Sequence, residues 1–278
     1  MNSKTQAQKN APRDELTQQC IDDFGDQWLA FRDNDGYYAS REMMADVCGP
    51  DFNLDDIHGK RVLDVGSGTG RIVNMLASFS PAKIYAVEPS DAFAVMAENT
   101  KHHGAMIERL KISGDAVPHD LNLDYAFSIG VVHHIPNPKP VMDAIFTAMK
   151  QSGTAVIWLY GREGNGLYLC LYKSLSFFTK KMPDRALNGL AGFLNILLDG
   201  YIWLCRYIPL PMRKYALNVL AKLDRPVRKL VIFDQLNPAY AKYYTAAEAR
   251  ALLEDSGFTN VRLYHRHGYS WTVFGEKP

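Results

Sequence analysis

Between residues 60 and 160, the chain alternates short apolar runs with segments whose apolar residues recur at helical spacing. The apolar runs are rich in β-branched residues, which is typical of strands buried on both faces of a parallel sheet. Alternation of such strands with amphipathic helices predicts an α/β domain. The predicted strands are 62–65, 83–88, 110–112, 125–129 and 155–160; the predicted helices begin near Ile72, at Ser90 and at Pro140, and Gly153 ends the last of them.

The alternation stops after Tyr160 for about seventy residues and resumes near Thr245. Thr245 and Glu248 have the spacing of a capping box, which begins a helix that Gly257 ends. Two further apolar runs, 261–265 and 270–274, flank a short turn at Gly268 and predict a hairpin. The sequence therefore predicts one sheet, interrupted by an insertion after its fifth strand.

The first strand leads into a glycine-rich loop, with the sequence RVLDVGSGTGR from Arg61 to Arg71. Glycines at 66, 68 and 70 allow a nucleotide-like ligand to approach the backbone without interference from Cβ atoms. A dinucleotide-binding loop of the G-x-G-x-x-G type needs glycine at position 71, where this chain has Arg71. The spacing is G-x-G-x-G, which disfavours a nicotinamide-dependent oxidoreductase.

This loop, together with Leu63-Asp64-Val65 before it, resembles the first motif of the class I S-adenosylmethionine-dependent methyltransferases. The resemblance extends from Lys60 to Tyr160, with a weaker return after Tyr243. It implies a Rossmann-like α/β fold with a seven-stranded, mostly parallel sheet whose last strand is antiparallel, here with a helical insertion after strand five. It also implies S-adenosyl-L-methionine as cofactor and S-adenosyl-L-homocysteine as product. No metal site is predicted.

The resemblance assigns the cofactor to the carboxyl ends of the first four strands. It places Asp64 and the loop beside the methionine and ribose portions, Glu88 at the ribose hydroxyls and Asp115 at the adenine amino group. An ionised carboxylate suits these roles because its oxygens only accept hydrogen bonds. The alternatives are a solvated strand-end carboxylate for Glu88 and a turn residue for Asp115. The predicted cofactor-binding residues are Asp64, Gly66, Ser67, Gly68, Gly70, Glu88, Pro89, Asp115, Ala116 and Gly130.

Three residues are candidates for catalysis. His133 and His134 lie where the resemblance places the methyl acceptor, and Tyr269 lies near the predicted final turn. Histidine has a pKa suited to a general base, although packing and hydrogen bonding are the alternative for this pair. A base matters only if the acceptor starts protonated, because the sulfonium is already activated and in-line positioning supplies much of the acceleration.

The chain divides into five predicted segments. Residues 1–13 are polar without apolar periodicity and are expected to form a flexible tail. Residues 14–59 are predicted to form a helical cap segment, in which Trp28 and Phe31 contact the acceptor or hold the segment to the core. The remaining segments are the cofactor-binding core 60–162, the insertion 163–233 and the completion of the core 234–278.

The insertion differs from the rest of the chain in charge. Residues 163–230 hold eleven basic and four acidic side chains, whereas the whole chain has a net charge of +1. A basic, aromatic-rich helical segment suits a cap over the active site, contact with anionic lipid, or a homo-oligomer interface. Leucines spaced by three and four predict one apolar helix face, with Asn195 outside it. These leucines are Leu187, Leu190, Leu194, Leu197 and Leu198.

Composition narrows the class of protein further. Hydrophobic residues make up 47% of the 278-residue chain, which is ample for a buried core. The four cysteines include no C-x-x-C pair, so neither a zinc site nor a disulfide framework is expected. Without an apolar leader, the chain is expected in the cytoplasm, free or membrane-associated. No nucleic-acid-binding motif accompanies the basic residues, so nucleic acid is not an expected partner.

We therefore expect a methyltransferase that acts on a small-molecule or lipid-linked acceptor, with anionic acceptors among the candidates. The sequence does not choose among carbon, oxygen and nitrogen as the acceptor atom. The alternative from another class is a noncatalytic cofactor-binding partner that docks on a membrane or a protein through its basic insertion.

Overall fold

A computed structural model describes residues 12–33, 35–166, 168–170, 184–236 and 240–278. Its centre is a seven-stranded sheet with the order β3-β2-β1-β4-β5-β7-β6. Strands β1 to β5 run parallel, and β7 pairs antiparallel with both β5 and β6. The predicted Rossmann-like fold class is thereby confirmed. The strands are β1 (Arg61–Val65), β2 (Lys83–Val87), β3 (Ile107–Leu110), β4 (Leu123–Ile129), β5 (Met149–Tyr160), β6 (Thr259–Arg266) and β7 (Ser270–Glu276).

Helices cover both faces of the sheet. Successive side chains of β1 point to opposite faces, so Leu63 shares a hydrophobic cluster with Met142 on one side, and Val62 shares another with Leu76 on the other. This double burial explains the nearly continuous apolar run of β1. The helices are α1 (Pro12–Ala30), α2 (Arg41–Cys48), α3 (Arg71–Ala77), α4 (Ala92–Asn99), α5 (Lys139–Ala148), α6 (Asp184–Tyr207), α7 (Arg213–Asn218), α8 (Arg225–Leu236) and α9 (Ala246–Glu254).

The third strand lies earlier than the sequence pattern indicates. Residues 110–112 are apolar at both ends, but the strand is Ile107–Leu110. Ile107 pairs with Ile84 of β2, and the Leu110 carbonyl oxygen accepts from the Glu88 backbone amide, which completes the ladder. Pairing with β2 therefore fixes the strand.

The prediction that Gly153 ends a helix is wrong. Helix α5 ends at Ala148, and β5 begins at Met149 and contains Gly153. A Cβ atom at Gly153 would lie 2.8 Å from the Leu123 carbonyl oxygen. This glycine therefore permits a close approach of two strands rather than a helix stop.

Most of the described part of the insertion is helical, including α6, α7 and α8. Helix α6 packs on α8 through Leu187, which clusters with Phe233. The predicted apolar face is wrong in two positions: Leu197 is exposed, whereas Asn195 is buried and donates to the Arg225 carbonyl oxygen at 2.8 Å. The helix is apolar on more than one side, so leucine spacing alone misplaced its buried face.

Two helices extend across predicted segment boundaries. Residues 1–11 of the predicted tail lie outside the described residues, and α1 already begins at Pro12. Helix α8 continues to Leu236, past the predicted end of the insertion at Phe233. The capping box at Thr245 and the hairpin around Gly268 are present as expected.

Candidate active site

A cavity of about 820 Å³ lies at the carboxyl ends of the central strands. It is within the range of about 300–1,000 Å³ that is usual for small-molecule sites. The strand order reverses between β1 and β4, and this is the edge at which open α/β sheets bind ligands. Helices α1, α6, α7 and α8 contribute side chains that complete the cavity, among them Phe24, Trp28, Leu194, Leu198, Tyr215 and Asp234.

The glycine-rich loop presents its backbone to the cavity. Gly66 has φ +78°, and a Cβ atom there would lie 2.4 Å from Val131 Cγ2, so a side chain would clash. A Cβ atom at Gly68 would lie 3.1 Å from the Trp28 indole nitrogen, which shows that α1 covers the loop directly. Gly70 precedes α3 and is outside the lining. The predicted loop residues that line the cavity are Gly66, Ser67 and Gly68.

Glu88 follows β2 directly and is buried, with 6% of its surface exposed. Its Oε2 accepts from the Gly68 backbone amide at 2.7 Å, and its Oε1 accepts from the Ser90 amide at 2.9 Å and the Ser90 hydroxyl at 2.5 Å. The carboxylate therefore holds the loop against the end of β2 and is not the solvated side chain of the alternative interpretation. Because a carboxylate oxygen can accept more than one hydrogen bond, Glu88 can also accept from a ligand in the cavity that it lines.

Asp64 lies in β1 beneath the loop and does not line the cavity. Its side chain is buried, and neither carboxylate oxygen has a hydrogen-bond partner within the described residues. Burial raises the pKa of Asp64 to about 7, against smaller opposing effects of the nearby Ser67 hydroxyl and Arg71. An unpartnered buried carboxyl group is costly, so packing alone does not explain this residue.

The other predicted cofactor residues divide between the cavity and its surroundings. Pro89, Asp115 and Gly130 line the cavity. Asp115 is exposed and accepts a hydrogen bond from the Ser113 hydroxyl. Ala116 is exposed and lies outside the lining. The fold therefore brings most of the predicted cofactor set together at one edge of the sheet.

His133 and His134 have different environments. His133 is fully buried and outside the lining, with its ring centroid 3.9 Å from that of Tyr160 and 4.2 Å from that of His134. Neither of its ring nitrogens has a hydrogen-bond partner within the described part of the chain. Burial holds the pKa of His133 well below its usual 6.5, and the neighbouring His134 adds to this. These surroundings are those of a packing residue.

His134 lines the cavity, with its ring centroid 4.7 Å from that of Phe24. Its Nδ1 lies 2.8 Å from the Tyr240 carbonyl oxygen. Because a carbonyl oxygen only accepts, we assign the hydrogen to Nδ1, which leaves Nε2 unprotonated in the neutral ring. Burial lowers the pKa of His134, against an opposing effect of Asp234. The side chain is therefore suited to accept a proton.

Tyr269 also lines the cavity, far from the histidines in sequence. Its hydroxyl accepts from Arg266 Nη1 at 2.6 Å, and its ring centroid lies 3.9 Å from that of Tyr215. Burial raises the pKa of Tyr269, so the phenol is neutral at ordinary pH. Arg266 is in turn paired with Asp46 at 2.6 Å. This network fixes the orientation of the Tyr269 hydroxyl.

Sequence reasoning missed a polar group in the cavity lining near the histidines, with the Tyr160 ring centroid 5.5 Å from that of His134. Asp234 Oδ1 accepts from Gln27 Nε2 at 2.9 Å, and Asp234 Oδ2 accepts from the Tyr160 hydroxyl at 3.3 Å. Asp234 and Tyr160 both line the cavity. The three residues come from α8, α1 and β5, so no local motif connects them. The one available signal was a lone carboxylate in the apolar stretch VIFDQL.

Comparison with known proteins agrees with this geometry. Residues 63–157 match a family described as a methyltransferase domain, over the region from β1 to β5 that holds the glycine loop, Glu88 and Asp115. Over the matched region, this confirms the resemblance to the class I S-adenosylmethionine-dependent methyltransferases. The matched region ends before the insertion, whose helices line another part of the cavity.

Individual relatives of this chain differ in what their names say they act on. Phosphoethanolamine N-methyltransferase 2 of Caenorhabditis elegans is 25% identical over 230 residues, which are 79% of this chain and 48% of the relative. A tRNA U34 carboxymethyltransferase of Chromohalobacter salexigens is 29% identical over 119 residues, which are 41% of this chain and 36% of the relative. The chain thus spans about half the length, or less, of these curated relatives.

A solved structure confirms that the fold is shared along almost the whole chain. The 1,6-didemethyltoxoflavin-N1-methyltransferase of Burkholderia thailandensis superposes with a TM-score of 0.56 at 15% identity, covering 96% of this chain and 91% of that one. That structure holds S-adenosylhomocysteine. The predicted cofactor, S-adenosyl-L-methionine, is confirmed for the matched domain. The residues present fit it: an open glycine backbone, a buried acceptor at Glu88 and a second carboxylate at Asp115.

Proposed function

We propose that the protein transfers a methyl group from S-adenosylmethionine to a small acceptor with an apolar portion. One observation carries the proposal: a continuous cavity joins the cofactor residues to a chamber lined by the insertion helices. Gly68 and Glu88 lie in the first part, and Leu198 and Tyr215 lie in the second. A donor and an acceptor bound in this cavity would share one enclosure.

The cofactor supplies an activated methyl group on its sulfonium. The chain's own task is to bind and orient the rest of the molecule through the loop backbone, Glu88 and Asp115. Trp28, which covers Gly68, would exclude water from this part of the cavity. Because positioning supplies much of the acceleration in such a transfer, these contacts are the main contribution we assign to the cofactor side.

The acceptor chamber supports a molecule that combines an apolar body with a charged group. Leu223 and Ile232 are among its apolar wall residues, whereas Asp234 and Arg71 bring charges of opposite sign to the cavity. Arg71 donates to the Tyr38 carbonyl oxygen at 2.9 Å and lies over the Tyr38 ring at 3.8 Å. Asp234 suits an amine, and Arg71 suits an anionic group. Lipid-linked and anionic acceptors both fall within this proposal.

We assign His134 the role of accepting a proton from an acceptor that is protonated before methylation. Its neutral ring, its unprotonated Nε2 and its place in the lining support this role. A His134→Ala variant should keep its affinity for S-adenosylhomocysteine but lose turnover. Unchanged turnover on an acceptor with a titratable proton would leave His134 a packing residue.

The experiment begins with calorimetric titration of S-adenosylhomocysteine, using NADH as the control ligand. Release of S-adenosylhomocysteine from S-adenosylmethionine is then measured with phosphoethanolamine, a hydroxylated heteroaromatic compound and a lipid-linked amine as acceptors. An Asp234→Asn variant should retain cofactor affinity and lose turnover on an amine. Binding of NADH alone would overturn the proposal.

Cofactor binding without transfer to any acceptor class would instead favour a noncatalytic cofactor-binding protein that docks through its insertion. The exposed apolar face of α6 supports this second candidate function, because such a face suits docking on another surface. We do not include nucleic acid among the acceptors, because the match to the tRNA-modifying relative covers 41% of this chain.

A further inference from the structure

One face of α6 carries large apolar side chains that the described part of the chain leaves uncovered. Every large hydrophobic side chain that is exposed among the described residues belongs to this face or, for Ile208, directly follows the helix, with exposed fractions from 39% to 72%. At about 100° of rotation per residue, these side chains occupy a sector of roughly 140°. A contiguous exposed apolar patch marks an interaction surface. We call this set the outer face of α6: Phe193, Ile196, Leu197, Trp203, Leu204, Tyr207 and Ile208.

The opposite face of α6 packs against the rest of the protein. Ala191 and Cys205 are fully buried there, and Asn195 donates to the Arg225 carbonyl oxygen. The stretch Ala186–Tyr207 is long and apolar enough to cross a membrane by length and composition, with 22% of its apolar window buried inside the protein. Its packed, hydrogen-bonded inner face fits a helix that lies on a membrane surface better than one surrounded by lipid.

Cations follow one edge of the outer face. Arg206 adjoins Tyr207, and Lys229 Cε comes within 3.8 Å of the position that a Cβ atom at Gly192 would take. No ion pair involves Arg206 or Lys229 within the described ranges. Asp199, the acidic residue within α6 on this side, is neutralised by two arginines, one of them Arg225 at 2.7 Å. The edge therefore has a net positive charge.

We propose that the outer face of α6 docks on an anionic lipid bilayer, with the helix lying parallel to the membrane surface. The apolar side chains enter the interface between headgroups and acyl chains, and Trp203 and Tyr207 suit this depth because their rings are amphipathic. The cationic edge meets the negative headgroups. A second copy of the chain would instead bring two cationic edges together, so charge complementarity favours lipid.

Docking would also fix the position of the cavity relative to the membrane. Leu194 and Leu198 of α6 line the cavity, whereas the outer-face residues do not. The cavity of a docked molecule would therefore lie about one helix diameter, roughly 10–12 Å, from the lipid. The outer face can be altered without changing any residue that we assign to the site.

The test is co-sedimentation of the full chain with vesicles of phosphatidylcholine alone, or of phosphatidylcholine and phosphatidylglycerol in equal amounts. We expect binding to the anionic vesicles that weakens as salt is added. Ile196→Gln combined with Leu197→Gln should weaken binding at least about tenfold. Arg206→Gln combined with Lys229→Gln should weaken it about 25-fold, at about fivefold for each cation removed. The matched control, Lys60→Gln with Lys101→Gln, changes the same charge at the amino ends of the strands and should bind as the unaltered chain does.

Trp203 provides a second measurement, because it is the most exposed of the four tryptophans. Vesicles with brominated acyl chains should quench its fluorescence, and Trp203→Phe should remove the quenching; thermal unfolding checks that each variant is folded. Failure to bind anionic vesicles, or equal binding by the outer-face and control variants, would overturn the proposal. So would a concentration-dependent dimer that Ile196→Gln with Leu197→Gln dissociates, since a second copy would then cover this face.

Discussion

Replacement of Glu88 by alanine tests the centre of the cofactor site. The carboxylate accepts three hydrogen bonds from the protein, two from backbone amides, and it lines the cavity. Its removal should therefore have two separable effects. It removes the acceptor that we assign to the ribose hydroxyls, and it leaves the Gly68 and Ser90 amides without their partner.

Each effect has its own magnitude. Hydrogen bonds to a charged group contribute about 1.5–3 kcal/mol, so S-adenosylhomocysteine affinity should fall roughly 10- to 150-fold. A buried donor left unsatisfied costs about 1–3 kcal/mol, so the free energy of unfolding without ligand should fall by at least about 1 kcal/mol. The Gly68 amide lies in the loop that lines the cavity, so disorder of this loop is a second route to a loss of affinity.

Ser90→Ala separates the two effects. It removes the hydroxyl that donates to Glu88 and accepts from the Ala92 amide, but it keeps the carboxylate and the Gly68 contact. Titration calorimetry and urea unfolding of both variants should show a loss of stability in each and a large loss of affinity only in Glu88→Ala. Unchanged affinity in Glu88→Ala would refute the assignment, and equal losses in both variants would attribute the effect to loop order.

Three further predictions concern residues beneath and beside the loop. Gly66→Ala should lower the free energy of unfolding by at least about 1 kcal/mol more than Gly59→Ala does, as measured by urea unfolding. Both glycines have positive φ, but only a Cβ atom at Gly66 would clash with Val131. Equal losses in the two variants would contradict this. Asp64→Asn should raise the melting temperature of the ligand-free protein at about pH 8. Burial raises the pKa of the Asp64 carboxyl group to about 7, so its ionised form destabilises the folded protein at that pH. A lower melting temperature in the variant would count against this cause. Because burial depresses the pKa of His133 below 6.5 in the folded protein, the free energy of unfolding should fall as pH drops below about 6.5, by up to about 1.4 kcal/mol per pH unit. In urea unfolding, His133→Phe should flatten that slope, and an unchanged slope would count against this cause.

Much of the fold follows from short-range patterns. The nearly continuous apolar run of β1 and the capping box at Thr245 each encode one element and its boundary. Sequence patterns predicted element boundaries less well where contact between strands sets them. The bounds of β3 are set by its hydrogen-bond ladder with β2, and Gly153 lies within a strand because it closely approaches the Leu123 carbonyl oxygen. These differences arise because a strand ends where hydrogen bonding to its neighbouring strand ends, and the sequence of one strand does not show where that is.

The sequence likewise located one part of the candidate site and not the other. Glycine spacing and the carboxylates that follow successive strands locate the cofactor half, because parallel strands bring their carboxyl ends to one edge. The sequence did not indicate which histidine lines the cavity. His133 and His134 are adjacent in the chain, yet only the second reaches the lining, because a short helical turn directs the two rings differently.

The sequence by itself determined the α/β class, the glycine-loop chemistry and a basic helical insertion, because each depends on residues close together in the chain. Only the tertiary structure decided that Asp234, Gln27 and Tyr160 form one polar group, since they come from three separate elements. It also decided which side of α6 the described residues leave uncovered. A helix that is apolar on two sides has two faces to bury, and the packing of α7 and α8 covers one and leaves the other outside.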